Sequence, residues 1–458
     1  MKTLFKDATI VTMNQRREIL REASLLVDGD RIERIFQHGN RGESPADLVY
    51  DCRGEILIPG LISAHTYLTG LFQRGLWDEP GFETWSQKSA AAERYLDLSP
   101  DDIRLIHTVA CLELIRHGVT TVLNMFTAPA KQTLSCVNRA CQAFADSGIR
   151  GVLGLALKDQ APDDSAQVQG DRRVEAWAEQ ARVACGQVAS FGPRVSFALT
   201  PSAPQRCSDR LLAACRDLAE ELDAGMHTHL AETKHHAEVG RKLYGEPIVH
   251  HLAKLGLLGP KLSVAHAVWI DDDEIDLLNR YQVGVVHNPS SNMKMASGVA
   301  RVKKMLRKGL SVGLGADSVN AGTTYSIFEQ MKLAVLLPRT HWTPEDWLTP
   351  AEAFVMGSAG GAKALGLDAV VGSIEEGKKA DLTVLNPAIT LAPKNVLIDE
   401  LALCENGASV ESVFVDGIAV LLDRQITGVD ETALRAEFAK MEPKIARAKA
   451  AALQSRIQ

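Results

Sequence analysis

The sequence predicts an α/β fold, namely a parallel (β/α)₈ TIM-like barrel with a small flanking β-sandwich built from both termini. Two observations carry this prediction. Between residues 60 and 318, short apolar runs alternate eight times with segments of helical spacing, whereas both ends of the chain show mainly short strand patterns and turns. Strands of a parallel barrel are covered on both faces, so apolar runs alternating with amphipathic helices are typical of this fold.

The eight predicted barrel strands are rich in β-branched residues or alternate small and large apolar side chains. In chain order they are GLISAHTYL (60–68), VTTVLNM (119–125), RGVLGLAL (150–157), RVSFALTPS (194–202), GMHTHLAET (225–233), LSVAHAV (262–268), VGVVHNPSS (283–291) and SVGLGADS (311–318). A doubly wound open sheet is the alternative, but the glycine fingerprint that usually follows the first strand of that fold is missing here.

The segments between these strands carry helix signals. In SPDDIRLIHTVACLELIRHG (99–118), Ser99 is a predicted N-cap, acidic residues occupy the first turn and Gly118 ends the helix. His235 and His236 begin a later helix and are predicted to face solvent. Helices therefore separate the predicted strands, as parallel strand connections require.

The two ends of the chain are predicted to form one composite domain. Residues 1–57 and 368–428 have the pattern of short strands joined by hairpin turns, such as the Asp-Gly pair at 28–29. Residues 58–367 form the barrel in this division. Residues 429–458, rich in Ala, Glu, Lys and Arg, are predicted to form a charged helix on the surface.

Composition excludes several classes of partner. The chain has 458 residues, of which 46% are hydrophobic and 23% charged, and its formal net charge is −7 at pH 7. This balance gives no reason to expect nucleic acid or an anionic membrane as a partner. No apolar run reaches the roughly 18 residues of a membrane helix, and MKTLFKDATIVTMN lacks the apolar core of a signal peptide. Eight scattered cysteines without a C-x-x-C pair predict reduced thiols and a cytoplasmic location.

Residues suited to metal binding and proton transfer lie at the predicted ends of five strands, where the loops of such a barrel converge. They are His65 and Tyr67 on strand 1, His227, His229 and Glu232 on strand 5, His266 on strand 6, His287 on strand 7 and Asp317 on strand 8. A single buried histidine is usually a satisfied core residue. Five of the chain's thirteen histidines at one rim favour a metal site instead.

Spacing within two strands indicates which side chains face the site. Alternate residues of a strand share a face, so His65 and Tyr67 point the same way, as do His227 and His229. His229 lies nearer the rim and is therefore the better ligand. Glu232 lies where the strand becomes a loop, from which it can exchange protons with a water molecule at the metal.

Six motifs, in this order, resemble the amidohydrolase superfamily: PGLISAHTYL, HTHLAET, VAHAV, HNPSSNMKMASG, GLGADS and GSIEEGKKADL. They are most similar to the branch of methylthioadenosine/S-adenosylhomocysteine deaminases, guanine deaminases, triazine hydrolases and phenylurea or thiocarbamate hydrolases. The resemblance runs from about residue 5 to about residue 425 and implies a barrel with a flanking β-sandwich. It also implies one catalytic divalent metal ion, with Zn²⁺ favoured and Co²⁺, Fe²⁺ or Mn²⁺ accepted by the same ligand types.

Carried over residue by residue, this resemblance implies three metal ligands, His65, His229 and Asp317. It implies that Glu232 shuttles protons to the leaving group and that His266 polarises the substrate. Asp317 has a second implied role, because it can also accept the proton of the attacking water.

Tyr67 departs from the family pattern, because a second metal-binding histidine normally stands at this position. Three protein ligands and a water complete a catalytic zinc site, so the remaining set is sufficient. Tyr67 could ligate as a phenolate, which its reference pKa of about 10 makes costly. Alternatively, His266 could become a ligand. The favoured interpretation is that Tyr67 lines the pocket or hydrogen-bonds the water at the metal.

Aromatic residues are dense in the loop after the first strand, residues 71–85, which contains Trp77 and Trp85. Two interpretations are equally open: these side chains cover a flat substrate ring, or they form a small hydrophobic cluster. Together with Tyr67 and His287, the two tryptophans make up the predicted substrate-binding set.

These residues together predict a mononuclear metal-dependent hydrolase that cleaves a non-peptide C–N bond in a small, ring-bearing molecule. The favoured reaction is deaminase-like and acts on an amino-substituted heterocycle; the alternative is hydrolysis of an aryl urea, carbamate, thiocarbamate or amide. A non-catalytic small-molecule binding protein is a further alternative that only Tyr67 supports. The predicted partners are a small-molecule substrate and further copies of the chain in a homo-oligomer, which is common in this superfamily, but neither nucleic acid nor a membrane.

Overall fold

The computed structural model describes residues 1–37, 46–78, 81–129, 132–160, 170–387, 391 and 395–454 of the chain. Two nine-stranded sheets organise these residues. One sheet is mixed and is built from both termini, and the other is parallel and rolls into a barrel. The predicted fold class is therefore confirmed.

The mixed sheet takes five strands from the N-terminal segment: β1 (Lys2–Val11), β2 (Ile19–Asp28), β3 (Arg31–Phe36), β4 (Leu48–Asp51) and β5 (Ile56–Pro59). β1 is the central strand of this group, because it pairs antiparallel with β2 and parallel with β4 and β5. The hairpin between β2 and β3 turns through Gly29, whose φ of 58° lies in the left-handed region that glycine adopts without strain.

The barrel sheet is formed by β6 (Leu61–Tyr67), β7 (Val119–Phe126), β8 (Arg150–Leu157), β9 (Val195–Pro201), β10 (Gly225–Leu230), β11 (Leu262–His266), β12 (Gly284–His287), β13 (Val312–Leu314) and β14 (Asp317–Ser318). Neighbouring strands pair in parallel throughout. Each of the eight predicted runs corresponds to one barrel strand, and the eighth run is divided into β13 and β14.

The division of the eighth strand closes the barrel. Its first half, β13, pairs with β12, and its second half, β14, pairs with β6. Gly315 lies between the halves, and a Cβ atom at this position would lie 2.8 Å from the backbone oxygen of His65. Only glycine therefore allows the eighth strand to pass this close to the first.

The far end of the chain completes the mixed sheet with β15 (Leu382–Leu385), β16 (Val410–Val415), β17 (Ile418–Leu422) and β18 (Gln425–Ile426). β15 pairs antiparallel with β5, which joins the two termini into one sheet. Phe5, Tyr50 and Phe414 contact one another beside this sheet, with ring centroids 4.8 to 5.3 Å apart. The composite β unit therefore has an apolar core of its own.

The described residues form sixteen α-helices: α1 (Phe82–Leu96), α2 (Pro100–Arg116), α3 (Thr133–Ser147), α4 (Gly170–Ala189), α5 (Asp209–Glu221), α6 (Lys234–Tyr244), α7 (Ile248–Lys254), α8 (Asp272–Arg280), α9 (Pro289–Lys294), α10 (Val302–Arg307), α11 (Ile327–Leu336), α12 (Pro350–Met356), α13 (Ala359–Ala364), α14 (Leu397–Leu403), α15 (Glu431–Ala439) and α16 (Glu442–Gln454). The first ten lie in the connections between barrel strands.

The predicted N-cap of α2 is confirmed, because the Ser99 hydroxyl accepts from the backbone N–H of Asp102 at 3.1 Å. None of these helices combines the length and apolar character needed to cross a bilayer.

The C-terminal segment differs from the single predicted helix, because it contains both α15 and α16. Pro443 lies in the first turn of α16, where it supplies no N–H and its ring obstructs a helix that would continue from α15. α16 packs against α1, and its Ala452 is buried beside Trp77. Lys444 Nζ lies 2.7 Å from Asp102 Oδ2, so an ion pair also holds this helix to the barrel.

Candidate active site and metal centre

The side chains predicted for the site converge at the C-terminal end of the barrel. Ligand atoms of His65, His229 and His266 all lie within 4.8 Å of one another. Asp317 lies beside them, with Oδ1 3.6 Å from His65 Nε2 and Oδ2 3.7 Å from His266 Nε2. Glu232 Oε1 is 4.0 Å from His266 Nε2. The ends of four strands thus bring all five residues around one point.

The backbone at this end of the barrel is bent at several positions. Ala231, His266 and Asp317 have φ values of 42°, 73° and 57°, in the left-handed region that few residues other than glycine adopt. Each of them lies where a strand ends or restarts. Strain of this kind persists only where the surrounding structure enforces it, and it is concentrated at functional sites.

A buried chain of side chains supports His65. His65 Nδ1 lies 2.8 Å from His227 Nε2, and His227 Nδ1 lies 2.7 Å from Ser263 Oγ. Burial lowers the pKa of both histidines, most strongly for His227, so both rings are neutral at physiological pH. His65 therefore faces the site through Nε2, while Nδ1 contacts a partner deeper in the barrel.

Tyr67 contacts the site through His229. The tyrosine hydroxyl lies 3.2 Å from His229 Nε2 and 3.1 Å from Met125 Sδ. His229 Nδ1 donates to the carbonyl oxygen of Ser202 at 2.5 Å, so Nε2 of the neutral ring accepts from Tyr67. Burial, followed by the charge of Asp317, raises the pKa of Tyr67 well above its usual value. Without a metal ion, the phenol therefore stays protonated.

Electrostatics distinguish the two carboxyl groups of the site. Burial raises the pKa of Glu232 to about 7, so this group can both hold and release a proton near neutral pH. Burial also opposes the ionisation of Asp317, but its proximity to the His65 and His266 rings holds its pKa below the usual range. His266 Nδ1 lies 2.8 Å from Asn292 Oδ1, which directs Nε2 towards both carboxyl groups.

This arrangement fits a divalent metal ion. Two buried imidazole nitrogens, His65 Nε2 and His266 Nε2, have no hydrogen-bond partner among the residues that the structure describes. An unpaired buried polar atom costs about 1–3 kcal/mol, which a cation beside Asp317 would offset. Zn²⁺ and related ions accept imidazole nitrogens and a carboxylate together. His266 belongs to the same histidine cluster as His229, and its Nε2 lies 3.7 Å from Asp317 Oδ2. The interpretation of His266 as a ligand therefore stays open.

A cavity of about 160 Å³ opens onto His229, Glu232, His266 and Asp317. Tyr67 and Trp85 line it, as predicted for substrate contacts, and the Trp85 indole N–H donates to the backbone oxygen of Asn320 at 3.2 Å. Phe82 and Arg206 lie in the same wall, with the guanidinium carbon 5.8 Å from the ring centroid. The cavity therefore has an aromatic side suited to a flat ring.

Trp77 and His287, the other two predicted substrate contacts, lie outside the lining of this cavity. Trp77 is buried against alanines of α1 and α16, and its indole N–H donates to Gln73 Oε1 at 2.9 Å. His287 is buried at the end of β12. The aromatic loop thus divides between both interpretations of its sequence, since Trp85 faces the cavity and Trp77 belongs to a hydrophobic cluster.

The prediction that His236 faces solvent is wrong. Its side chain lines the cavity, is only 7% exposed and packs edge-on against Phe82 with ring centroids 5.0 Å apart. Burial lowers its pKa to about 3, so the ring is neutral. Its neighbour His235 is exposed, as predicted. The helix pattern alone did not distinguish the two, because the residue that covers His236 lies on α1.

Sequence reasoning also missed two basic residues of the cavity wall. Lys158 follows β8 and Arg206 follows β9, and both line the cavity. The signal that identified the histidines, a polar side chain just beyond a barrel strand, applies equally to strands 3 and 4. Because those strand ends carry neither a histidine nor a carboxylate that reaches the site, the pattern of metal ligands did not indicate Lys158 or Arg206.

A parallel barrel that gathers histidines and carboxylates around one point at its C-terminal rim is the architecture of a metal-dependent hydrolase. The Amidohydrolase family matches residues 56–420, and the chain belongs to this family. The predicted resemblance is therefore confirmed. The predicted enzyme class, a hydrolase of carbon–nitrogen bonds other than peptide bonds, is confirmed with it.

Individual relatives match nearly the whole chain. The 5-methylthioadenosine/S-adenosylhomocysteine deaminase of Syntrophomonas wolfei is 31% identical over 435 residues, which cover 94% of this chain and 96% of that protein. The 5′-deoxyadenosine deaminase of Methanosarcina barkeri is 32% identical over 435 residues, with coverages of 93% and 94%. An adenosine deaminase of Xanthomonas campestris with bound zinc has the same fold, with a TM-score of 0.88, 24% identity and coverages of 97% and 98%. These relatives favour the deaminase-like prediction over the aryl-urea alternative.

Proposed function

We propose that this chain is a metal-dependent deaminase that replaces the exocyclic amino group of a heterocycle with oxygen and releases ammonia. The observation that carries the proposal is Glu232, a buried carboxyl group with a pKa of about 7, which lies 4.0 Å from His266 beside the substrate cavity. An amine leaving group needs such an acid. The two relatives named for deaminating 5′-modified adenosines support a 6-aminopurine nucleoside as the substrate class.

We assign one metal ion to His65, His229 and Asp317, with His266 beside them; to bind the ion, His229 Nε2 would give up the hydrogen bond that it accepts from Tyr67. Zinc is the first choice, because the solved adenosine deaminase of the same fold carries zinc. A divalent ion held there supplies Lewis-acid chemistry and makes a water molecule nucleophilic near neutral pH. Tyr67 is a pocket residue in this assignment, in agreement with its place in the cavity wall.

The protein's own residues then carry one proton from water to the leaving group. Ionised Glu232 accepts the proton of the attacking water and returns it to the amino nitrogen, so that the C–N bond breaks and ammonia leaves as a neutral molecule. Asp317 stays ionised and orients the water through a hydrogen bond. Asn292 holds His266 at Nδ1 and so directs Nε2 to the reacting centre, where an Nε2–H would polarise the ring under attack.

Substrate contacts follow from the cavity wall. We propose that the purine ring lies against Trp85 and Phe82, because aromatic side chains bind flat rings by stacking or edge contacts. Tyr67 lines the metal end of the same cavity. This narrows the four predicted substrate residues to Tyr67 and Trp85.

Three further assignments belong to the same proposal. The chain acts as a homo-oligomer, as is common in its family. It works in the cytoplasm, which the eight free cysteines support, since six of them are buried as thiols. The proposed domain division is 1–57 with 368–428 for the composite β unit, 58–367 for the barrel and 429–458 for the C-terminal helical segment, and β5 (Ile56–Pro59) crosses the first boundary.

Product analysis tests the reaction. The zinc-loaded enzyme is incubated with adenosine, 5′-deoxyadenosine, methylthioadenosine, guanine, an aminotriazine and a phenylurea, and released ammonia, aniline and alkylamine are quantified. We expect ammonia from at least one adenine nucleoside and no aniline. Release of aniline from the phenylurea, with no ammonia from any heterocycle, would instead establish the aryl-urea alternative.

Metal analysis tests the assignment of ligands. We expect about one divalent ion per chain in the purified wild-type protein and its loss in Asp317→Ala. Tyr67→Phe is expected to keep the ion, because the hydroxyl is not a ligand, and Tyr67→His is expected to bind it more tightly. Loss of the ion in Tyr67→Phe would show that the tyrosine oxygen coordinates the metal.

A further inference from the structure

We propose that Ser263 and His227 are positioning residues that fix the tautomer of His65 and thereby set the metal affinity of the site. The inference rests on the metal centre proposed above. Neither residue lines the substrate cavity, and both act through His65. They form a hydrogen-bonded chain that enters the barrel from the end opposite the site.

The geometry of this chain is continuous. Ser263 Oγ lies 3.3 Å from the backbone oxygen of Met226 and 2.7 Å from His227 Nδ1. His227 Nε2 lies 2.8 Å from His65 Nδ1. The three side chains are at most 3% exposed, so no bulk water competes for these contacts.

Donor and acceptor rules allow this chain two directions, of which one satisfies Met226 as well as His227. The backbone oxygen of Met226 can only accept, so it is satisfied when the Ser263 hydroxyl donates to it, and Ser263 Oγ then accepts from His227 Nδ1. A neutral imidazole carries one proton, so His227 Nε2 accepts from His65 Nδ1. His65 Nε2 is then left with its lone pair, 3.6 Å from Asp317 Oδ1. This is the only neutral form of His65 that can bind a metal through Nε2.

If every hydrogen bond in this chain of side chains ran the opposite way, both the Ser263 end and the His65 end would lose an interaction. If Ser263 donated to His227, the His227 Nε2 proton would point to His65, and His65 would carry its own proton on Nε2. The nearest acceptor for that proton, Asp317 Oδ1, is 3.6 Å away and too distant for a hydrogen bond. The carbonyl oxygen of Met226 would also lose the hydroxyl. The serine therefore selects the tautomer that leaves the metal-facing nitrogen free.

The position of Ser263 separates this role from substrate binding. Ser263 lines a second cavity of about 300 Å³, together with Ser196, Asp223 and Lys261 around the N-terminal ends of the strands. Residues at that end of a barrel ordinarily contribute to stability rather than to catalysis. Because Tyr67 replaces a histidine ligand, each remaining ligand has a larger share in holding the metal, and the tautomer of His65 matters correspondingly more.

The decisive variant is Ser263→Ala, studied as the full-length protein. Zinc affinity is measured by competition with a chelator, and the histidine tautomers of the metal-free protein are read from the ¹⁵N chemical shifts of labelled imidazoles. We expect zinc to bind about 10- to 100-fold more weakly and His65 to gain a proton on Nε2. Ser196→Ala removes a hydroxyl from the same lower cavity without touching His227, and we expect it to leave both readouts unchanged.

Ser263→Thr keeps the hydroxyl and tests for rescue. We expect it to restore the wild-type tautomer and zinc affinity, which a general packing effect of the alanine variant would not predict. A wild-type protein that binds zinc, with affinity and tautomer both unchanged in Ser263→Ala, overturns the positioning role alone. A wild-type protein that binds neither zinc nor cobalt overturns the proposed metal centre, and this inference with it.

Discussion

The two ends of the barrel both bury polar side chains but pair them differently. At the N-terminal end, the Arg150 guanidinium donates to both oxygens of Asp381 at 3.0 Å and to Asp416 as well. At the C-terminal end, His65 Nε2 and His266 Nε2 are equally buried and have no hydrogen-bond partner within the described chain. Paired buried charges hold parts of a fold together, whereas unpaired polar atoms beside a cavity are available to a ligand. At these two ends of the barrel, pairing rather than burial therefore distinguishes a structural cluster from a candidate ligand site.

The largest expected effect lies at the rim. Glu232→Gln keeps the shape of the side chain but removes its proton transfer, so we expect kcat to fall about 10²- to 10⁴-fold while the metal content is unchanged. Steady-state kinetics with the best substrate of the panel and elemental analysis of the same sample measure both quantities.

A matched control exists elsewhere in the fold. Glu274 is also a buried glutamate with a pKa raised by burial, but it belongs to the capping box of α8, and its carboxylate accepts from the backbone N–H groups of Val249 and Asp271. Glu274→Gln is expected to leave kcat within about twofold. Full activity in Glu232→Gln would remove this residue from the mechanism.

The next effect lies at the paired end. Asp381→Asn leaves the buried Arg150 charge without its main partner, so we expect the free energy of unfolding to fall by about 3–5 kcal/mol. Urea denaturation measures this change, and zinc affinity of the folded protein is expected to stay at the wild-type value.

Asp317→Asn is the corresponding change at the C-terminal end of the barrel. It should affect zinc affinity strongly and the free energy of unfolding only weakly, which is the reverse of the result expected for Asp381→Asn. Metal binding is expected to be lost, with a smaller change in the stability of the metal-free protein, because Asp317 neutralises no permanently charged side chain there. If Asp381→Asn abolished zinc binding in the folded protein, the separation of the two ends would be wrong.

The fold could be predicted almost entirely from local pattern. All eight apolar runs became barrel strands, since covered parallel strands and their helices leave a strong periodic signal. Gly315, in the run of small residues before Asp317, passes close to the backbone of His65. The break that divides this strand was not visible, because it depends on which neighbour each half pairs with.

The site was predictable only where it follows the strand ends. His65, His229 and Asp317 could be found because barrel geometry brings strand ends together whatever their separation in sequence. Trp77 and Trp85 could not be told apart, because the partner that satisfies the Trp77 indole is a matter of tertiary packing. The same limit applies to His236. Its local sequence is typical of an exposed helix face, but Phe82 of α1 covers it in the folded chain.

One buried histidine has no hydrogen-bond partner among the described residues and lies outside the candidate site. His107 on α2 is fully buried against Phe126, and neither ring nitrogen has a hydrogen-bond partner in the described part of the chain. Burial lowers its pKa to about 3 from 6.5. Between these two pKa values, His107 is therefore neutral in the folded protein and protonated in the unfolded chain. This contribution to stability is complete above pH 6.5 and is lost as the pH falls towards 3.

His107→Leu is expected to remove this pH dependence. Between about pH 7 and about pH 5.5 the wild-type free energy of unfolding should lose about 1 kcal/mol more than that of the variant. Urea denaturation at both pH values measures the difference, and His235→Leu at an exposed position should leave the wild-type slope intact. Equal slopes for the wild type and His107→Leu would show that His107 is protonated or solvated in the folded state.

The smallest expected effect tests the cavity wall rather than the metal. Arg206 lies over Phe82, and no carboxylate among the described residues forms a salt bridge with it, so its guanidinium is available to a substrate acceptor. Arg206→Met keeps the apolar stem and removes the charge, and we expect KM to rise about fivefold, equivalent to about 1 kcal/mol, with kcat nearly unchanged. Arg339→Met removes the same kind of contact, with Trp347, away from the site and should alter neither constant. A fall in kcat at constant KM would place Arg206 in the chemical step, where its charge would act on Glu232 rather than on the substrate.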